Sequence, residues 1–388
     1  MIKKLKNIYH YILAWAGKVV FRNPSRKLVV IGVTGTKGKT VTVELIATAL
    51  NACGQKAAII SSAHIVVGDK ERPNTTENTM IGRGRVQRIL AEAVKKGCGF
   101  AVIEVTSQGV IQHRHKFIEW DAAVLTNLYP EHIESHGGFE KYREAKLDFF
   151  RYVANSPKNG RIFFINKEDE NAEYFVKAAG DNKIIFFGGT FLKADYEAAV
   201  EVADHFGCDR KMVEKELADF RGVPGRMETV VKEPSRVIVD YAHTPDSLEQ
   251  VYKWAALPQK IGQDGRKLIC VLGSAGGGRD KWKRPKMGEI AAKYCDEIIL
   301  TNEDPYNENP MGILEEINRG VLGAGKEAIK ILDRQEAIDK AVSEAKEGDT
   351  VILTGKGSER YIHLARGKKL LWSEKEAVMR AIKDKNKM

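Results

Sequence analysis

The short apolar run Leu28-Val29-Val30-Ile31 enters Gly32-Val33-Thr34-Gly35-Thr36-Lys37-Gly38-Lys39-Thr40, and a helical pattern follows from Thr42 to Ala52. A strand that breaks into a glycine-rich turn and restarts as a helix leaves backbone N–H groups unpaired at one point, with the helix dipole behind them. Such a turn cradles phosphate. Gly35, Thr36, Lys37 and Gly38 would form the cradle, Lys39 would reach the β- and γ-phosphates of ATP, and the Thr40 hydroxyl would hold Mg²⁺. Val33 stands at the first glycine position of the general pattern. The strand–loop–helix context, more than the spelling, supports the assignment.

The same alternation continues along the chain. Lys56 to Ser61, Phe100 to Ile103 and Ala122 to Leu125 read as strands, and Val86 to Lys96 as a helix. Continuous apolar runs of this kind suit a parallel sheet buried on both faces. Arg221-Gly222-Val223-Pro224-Gly225-Arg226 punctuates the pattern, which then restarts. Arg236 to Val239, Leu268 to Leu272, Glu297 to Leu300 and Val351 to Leu353 read as strands, with a helix from Asp246 to Ala255. The predicted class is α/β. A central P-loop ATPase domain with a mostly parallel sheet spans 28–228, and a C-terminal Rossmann-like α/β domain spans 229–388. No solenoid repeat or low-complexity stretch interrupts them.

With 43% hydrophobic and 29% charged residues, the chain is globular in composition. Its net charge of +10 favours anionic partners, but the charge is spread along the chain, so no nucleic-acid partner is expected. Cys53, Cys98, Cys208, Cys270 and Cys295 are widely spaced and lack a CxxC pair. Neither a disulfide framework nor a zinc site is expected; they read as small buried residues in a reducing cytoplasm. Residues 1–27 form a basic–apolar helical segment, with Lys3, Lys4 and Lys6 ahead of Ile8 to Ala16. It is too short and too charged to span a membrane and has no signal-peptide cleavage site. Two readings stay open: a helix lying on a membrane surface through residues 1–24, or one packed on the protein's own body.

Several polar residues stand where strands end, the edge at which open α/β sheets bind ligands. Glu104 closes the run Phe100 to Ile103 and is either a Mg²⁺ ligand or a solvated strand-end charge. Thr126-Asn127-Leu128 closes the next strand, followed by Glu131-His132 and His136-Gly137. Lys146 lies in a helical stretch and from composition alone is a surface lysine. In the second half, Asp240 to Asp246, Gly273 to Asp280 and Gly355 to Glu359 are three polar loops at successive strand ends. Together they would line one sheet edge.

These strings resemble the Mur ligases, most closely their amino-acid-adding tripeptide synthetases. The resemblance rests on Thr34 to Thr40, Asn74-Thr75-Thr76, Glu104-Val105-Thr106-Ser107, Gln112-His113-Arg114, His132, Glu144-Ala145-Lys146, Val223 to Glu228, Asp240 to Asp246, Gly277 to Lys281, Asp333-Arg334 and Gly355-Lys356-Gly357. It covers nearly everything from Leu28 onward. It implies an ATP-dependent ligase that joins the D-Glu carboxylate of UDP-MurNAc-L-Ala-D-Glu, or a related muramyl-peptide acceptor, to a free amino acid through an acyl phosphate. The catalytic set it implies is Lys39, Glu104, His132 and Lys146. Thr40, Glu104, His132 and a carbamylated Lys146 would hold two Mg²⁺ ions. Asn127, His243 and Arg334 would join the loop in binding ATP. Asn74, Thr75, Thr76, Ser107 and Arg114 would hold the acceptor, and Arg279, Asp304, Gly355 and Glu359 the amino acid. The family's N-terminal uridine-nucleotide domain has no counterpart in 1–27, so the acceptor is expected to be held differently, to be lipid-linked or to lack uridine. Glu303-Asp304-Pro305-Tyr306 stands where diaminopimelate-adding members carry Asp-Asn-Pro-Arg, which favours lysine over meso-diaminopimelate. A cytoplasmic monomer, held peripherally at the inner membrane face if residues 1–24 lie on lipid, completes the expectation. Folylpolyglutamate- or cyanophycin-type ligase chemistry and a non-catalytic ATP-binding partner of cell-wall assembly are the alternatives.

Overall fold

The computed structural model describes residues 2–76, 78–82, 84–130, 136–218, 220, 222–256, 266–278 and 280–385, with side chains from residue 8 onward. The chain divides into two compact units, Met1–Phe220 and Arg221–Met388.

The first unit is an eight-stranded sheet in the order β4-β3-β2-β5-β1-β6-β7-β8. Its strands are β1 (Val29–Thr34), β2 (Ala57–Ile60), β3 (His64–Val67), β4 (Lys70–Pro73), β5 (Phe100–Glu104), β6 (Ala122–Leu125), β7 (Ile162–Asn166) and β8 (Lys183–Phe187). All pair in parallel except the β2–β3–β4 edge, which is antiparallel. The central strands are buried along their whole length, because helices cover both faces. Gly32 in β1 is required by that cover: a Cβ there would lie 2.3 Å from the Phe149 ring. The chain leaves β1 for β2 on one side and reaches β6 on the other, with β5 returning between β2 and β1. This puts the switch of direction at the carboxyl end of β1, where open sheets bind ligands.

Helix α1 (Ile2–Val20) precedes the sheet and packs on α3 (Arg85–Lys95). Helix α2 (Lys39–Ala52) follows β1 and is buried on nearly every side, since the helix Leu192–His205 covers the face turned away from the sheet. No described helix is long and apolar enough to cross a membrane.

The second unit is a six-stranded sheet in the order β13-β12-β11-β14-β10-β9. Its strands are β9 (Glu228–Val231), β10 (Arg236–Val239), β11 (Leu268–Leu272), β12 (Glu297–Leu300), β13 (Ile329–Lys330) and β14 (Thr350–Leu353), parallel except for β9. A small antiparallel pair, Tyr361–His363 with Lys369–Leu371, lies beyond β14.

The cysteines depart from expectation. Cys53 pairs with Cys208 and Cys270 with Cys295 as disulfides, with Cα separations of 5.7 and 6.0 Å. Cys98 is a buried free thiol. Sequence spacing concealed the pairs, because the packing of α2 on its covering helix brings together residues 155 apart.

Candidate active site

Helix α2 begins at Gly38, whose φ of +79° is a left-handed conformation that L side chains rarely adopt. A Cβ there would also sit 2.3 Å from Asp195 Oδ1. Gly35 is equally constrained, since its Cβ would lie 1.9 Å from Thr126 Oγ1. The second approach comes from a residue that grips the loop. Thr126 Oγ1 donates to Lys37 O at 2.7 Å, and Thr36 N donates to Asn127 O at 2.9 Å. Asn127 closes a two-way bond with Lys37, accepting from its N at 2.9 Å and donating to its O at 3.0 Å. Asn127 therefore braces the loop. Lys39 Nζ donates to Thr36 O at 2.8 Å, across the mouth of the cradle.

The expected metal ligands of α2 and β5 meet. Glu104 ends β5 beside Val33 and is 2% exposed, which rules out the solvated strand-end charge. Thr40 Oγ1 donates to Glu104 Oε2 at 3.1 Å, and Ser62 N donates to the same oxygen at 2.8 Å. Ser62 Oγ lies 3.0 Å from Thr40 Oγ1. Sequence reasoning missed Ser62, although it lies two residues beyond β2.

Lys146 is not a surface lysine. It is 1% exposed, and its Nζ donates to Gly35 O at 2.7 Å. Ser107 Oγ and His136 Nε2 lie 3.2 Å apart. His132 falls outside the described residues.

A second missed residue lies behind the cradle. Asp195 is buried beneath Gly38 and accepts from Thr42 Oγ1 at 2.7 Å. Burial raises its carboxyl to about 7, against the opposing pull of the Thr42 hydrogen bond and the Lys39 charge.

Of the expected acceptor residues, Asn74, Thr76 and Arg114 are linked by hydrogen bonds, Arg114 through Asn78. Asn74 Oδ1 caps its own turn, accepting from Thr76 N at 3.1 Å and Thr76 Oγ1 at 2.7 Å, and Thr75 points out exposed. Arg114 reaches this turn by donating to Asn78 Oδ1 at 3.0 Å and to Met80 O. Asn74 Nδ2 donates to Ser61 O at 2.9 Å, one residue from the Thr40–Ser62–Glu104 cluster.

In the second unit, Lys356 is fully buried and donates to Asp304 Oδ1 at 2.8 Å and Glu359 Oε2 at 2.7 Å. Tyr241 OH donates to Glu359 Oε1 at 2.8 Å, and the His243 ring packs on Tyr241. Gly355 lets Glu303 approach, since a Cβ there would lie 2.7 Å from Glu303 Oε2. Among the described residues, Glu303 Oε2, Ser274 Oγ and Thr301 Oγ1 are buried without a hydrogen-bond partner. Burial raises the Glu303 carboxyl, against the charge of Lys356. Orphaned buried polar atoms at strand ends mark a place where a polar ligand would be held. Tyr306 stacks on His363, their ring centroids 5.2 Å apart. Arg279 lies outside the described residues.

Arg334, expected with the nucleotide, has its partners within the second unit. Its guanidinium is 1% exposed, pairs with Glu374, and donates to Asn302 O and Thr354 O at 2.9 Å each. It ties together the loops that follow β12 and β14.

A glycine-rich strand–loop–helix turn at the switch point of a parallel sheet, with buried oxygen donors beside it, is the arrangement that marks the class of P-loop proteins. Within that class, the Mur ligase middle domain matches residues 33–227, and the Mur ligase glutamate ligase domain matches 225–357. The chain belongs to the Mur ligase family. It is 32% identical to the UDP-N-acetylmuramoyl-L-alanyl-D-glutamate–2,6-diaminopimelate ligase of Halalkalibacterium halodurans, over 94% of this chain and 80% of that one. It is 34% identical to the UDP-N-acetylmuramyl-tripeptide synthetase of Treponema denticola, over 89% and 74%. A solved structure of a UDP-N-acetylmuramoyl-L-alanyl-D-glutamate–2,6-diaminopimelate ligase superposes with a TM-score of 0.63 at 28% identity, covering 98% of this chain and 83% of that one.

Proposed function

We propose that this chain is an ATP-dependent acid–amino-acid ligase of peptidoglycan precursor synthesis. It would join the free D-Glu carboxylate of UDP-MurNAc-L-Ala-D-Glu, or of a related muramyl-peptide, to an amino acid. The observation that carries the reading is the Thr40–Ser62–Glu104 oxygen cluster, its Thr40 and Glu104 buried, beside the Gly35–Lys39 cradle, with Lys146 against Gly35 O. Two hydroxyls and a carboxylate are the hard oxygen donors that Mg²⁺ prefers. Once bound, the ion would neutralise phosphate charge. His132 and a carbamylated Lys146 would complete a second metal site.

The chemistry follows from charge. The acceptor carboxylate attacks the γ-phosphorus, ADP departs, and an acyl phosphate forms; the amino group then attacks the acyl carbon and phosphate leaves. Two anions meet in the first step. Lys39 and the α2 N-terminus offset that repulsion and the charge of the transferring phosphoryl. Asn74, Thr75, Thr76, Ser107 and Arg114 would orient the acceptor, and Asp304, Gly355, Glu359 and Arg279 the amino acid. Asn127 and His243 remain assigned to the nucleotide; Arg334 is reassigned to holding strand ends together. The unpartnered Glu303 Oε2 would receive the incoming ammonium. Tyr306 offers no guanidinium for a distal carboxylate, which favours lysine over meso-diaminopimelate. We assign the chain to the cytoplasm as a monomer, peripheral at the inner membrane face.

The test is phosphate release from ATP with UDP-N-acetylmuramyl-dipeptide as acceptor, and lysine and meso-diaminopimelate supplied separately. Release that requires acceptor and one amino acid is expected, with lysine preferred. Release with neither amino acid, despite ATP binding, would overturn the ligase reading for this acceptor. Carbamylation has its own readout: a ¹³C carbamate resonance after bicarbonate labelling, absent from Lys146→Met.

A further inference from the structure

Helix α1 has two unlike faces. Ala14 and Gly17 are buried, and a Cβ on Gly17 would come within 2.7 Å of Gly84 Cα, so this face is pressed onto the body of the first unit. The Tyr11 ring sits edge-on to Phe117, with centroids 4.9 Å apart. The opposite face carries Ile8, Ile12, Trp15 and Val19, at positions i, i+4, i+7 and i+11, which form one stripe. These four side chains are between 52% and 57% exposed. Singly exposed apolar residues are ordinary, but a continuous stripe on one helix marks a contact surface.

The charge around the stripe names the partner. Residues 1–27 contain seven basic residues, Lys3, Lys4, Lys6, Lys18, Arg22, Arg26 and Lys27, and no acidic one. The positive charge is therefore concentrated here, against the expectation of an even spread. An apolar stripe with Trp and Tyr, in a segment whose own charges are all basic and of which only Arg26 is paired, with Glu119, among the described side chains, matches the interface of an anionic bilayer. A helix with one face fixed to its own protein is an interfacial element, and none of the described helices is apolar enough to span.

We propose that α1 docks the chain on an anionic lipid surface, with Ile8, Ile12, Trp15 and Val19 entering the headgroup–acyl boundary and the basic residues of 1–27 drawing it to the lipid phosphates. The helix packs beside α3, and Tyr11 touches the His113–Phe117 segment that carries Arg114. Under the ligase reading, docking would hold the acceptor residues close to the membrane, although the docking itself does not depend on that reading.

The test is co-sedimentation of the full chain with vesicles of phosphatidylcholine plus phosphatidylglycerol, and with phosphatidylcholine alone. Wild type should pellet with the anionic vesicles and be released by raised salt. Ile12→Glu combined with Val19→Glu should lower partitioning by at least about ten-fold, because two buried aliphatic groups become charged. Arg22→Glu with Lys27→Glu, which leaves the stripe intact, should weaken binding to anionic vesicles selectively. Phosphate release with a soluble acceptor should be unchanged in both double variants, so loss of docking and loss of ligation are read separately. Wild type that stays in the supernatant would overturn the proposal, and so would a dimer that the stripe variant dissociates, since a second copy would then cover the face.

Discussion

Replacing His64 by glutamine should remove a pH-dependent contribution to the stability of the first unit. The His64 Nε2 lies 2.5 Å from Glu44 Oε1 on α2, and its Nδ1 lies 2.6 Å from Glu71 Oε1 on β4. Burial pushes the imidazole down, but the hydrogen bonds and charges of Glu44 and Glu71 outweigh it and raise the pKa from 6.5 to about 9. The native state thus holds the proton more tightly than the unfolded chain. The contribution is fully present below the unfolded value of 6.5 and is lost as pH rises through about 9. At ~1.4 kcal/mol per pKa unit the upper bound is on the order of 3 kcal/mol. Glu71 is 62% exposed, so water screens its share. About 2 kcal/mol is the expected pH-dependent part. Hydrogen exchange of the β2–β3 amides, compared with urea unfolding, reads it locally and globally. The gap between wild type and His64→Gln should be about 2 kcal/mol larger near pH ~5.5 than near pH ~10. A gap that stays constant across that range would refute a role for the imidazolium charge and leave only packing.

Three further changes test the site. Gly38→Ala forces a side chain into φ +79° and onto Asp195, at a cost of about 1–3 kcal/mol, so ATP affinity by calorimetry should fall at least about ten-fold; unchanged affinity would move the phosphate site elsewhere. Glu104→Gln keeps an acceptor for Ser62 N but removes the charge, so turnover should fall roughly 100-fold with little change in melting temperature, and full turnover would remove Glu104 from the metal site. Arg334→Met leaves Glu374 buried and unpaired and should cost about 3–5 kcal/mol, and Arg334→Met combined with Glu374→Met should recover most of it; a double variant as unstable as the single would refute the bracket.

The parts of the fold that were legible are those in which local pattern and burial agree. Strands β1, β5 and β6 are buried on both faces, so their sequences are continuous apolar runs and announce themselves. The β3–β4 hairpin was not read. Lys70-Glu71-Arg72-Pro73 has the composition of a loop, because an edge strand needs backbone pairing on one side only and is protected by charge and proline. The cysteine pairs were invisible for another reason, since their proximity exists only once helices and strands pack in three dimensions.

The site residues divide by the same logic. On the helix Phe139–Ala154, Tyr142, Lys146, Phe149, Phe150 and Val153 share one buried stripe. Lys146 is in phase with aromatic residues, where a solvated lysine would not be placed, and that phase was available before any resemblance. Asp195 falls on the buried stripe of Ala198, Ala199 and Val202, and Arg334 on that of Ala337, Ile338 and Ala341. Burying a charge is costly unless a partner meets it. Each of these three has one: Gly35 O for Lys146, Thr42 Oγ1 for Asp195 and Glu374 for Arg334. A charged residue in phase with an apolar stripe therefore predicts a polar partner beneath the helix, and at Lys146 and Asp195 that partner belongs to the phosphate loop or to the helix it opens. Glu303 and Ser62 sit in loops that have no period to violate. Only the meeting of strand ends reveals them, whereas the glycine-rich loop that would touch the phosphates announces itself in one dimension.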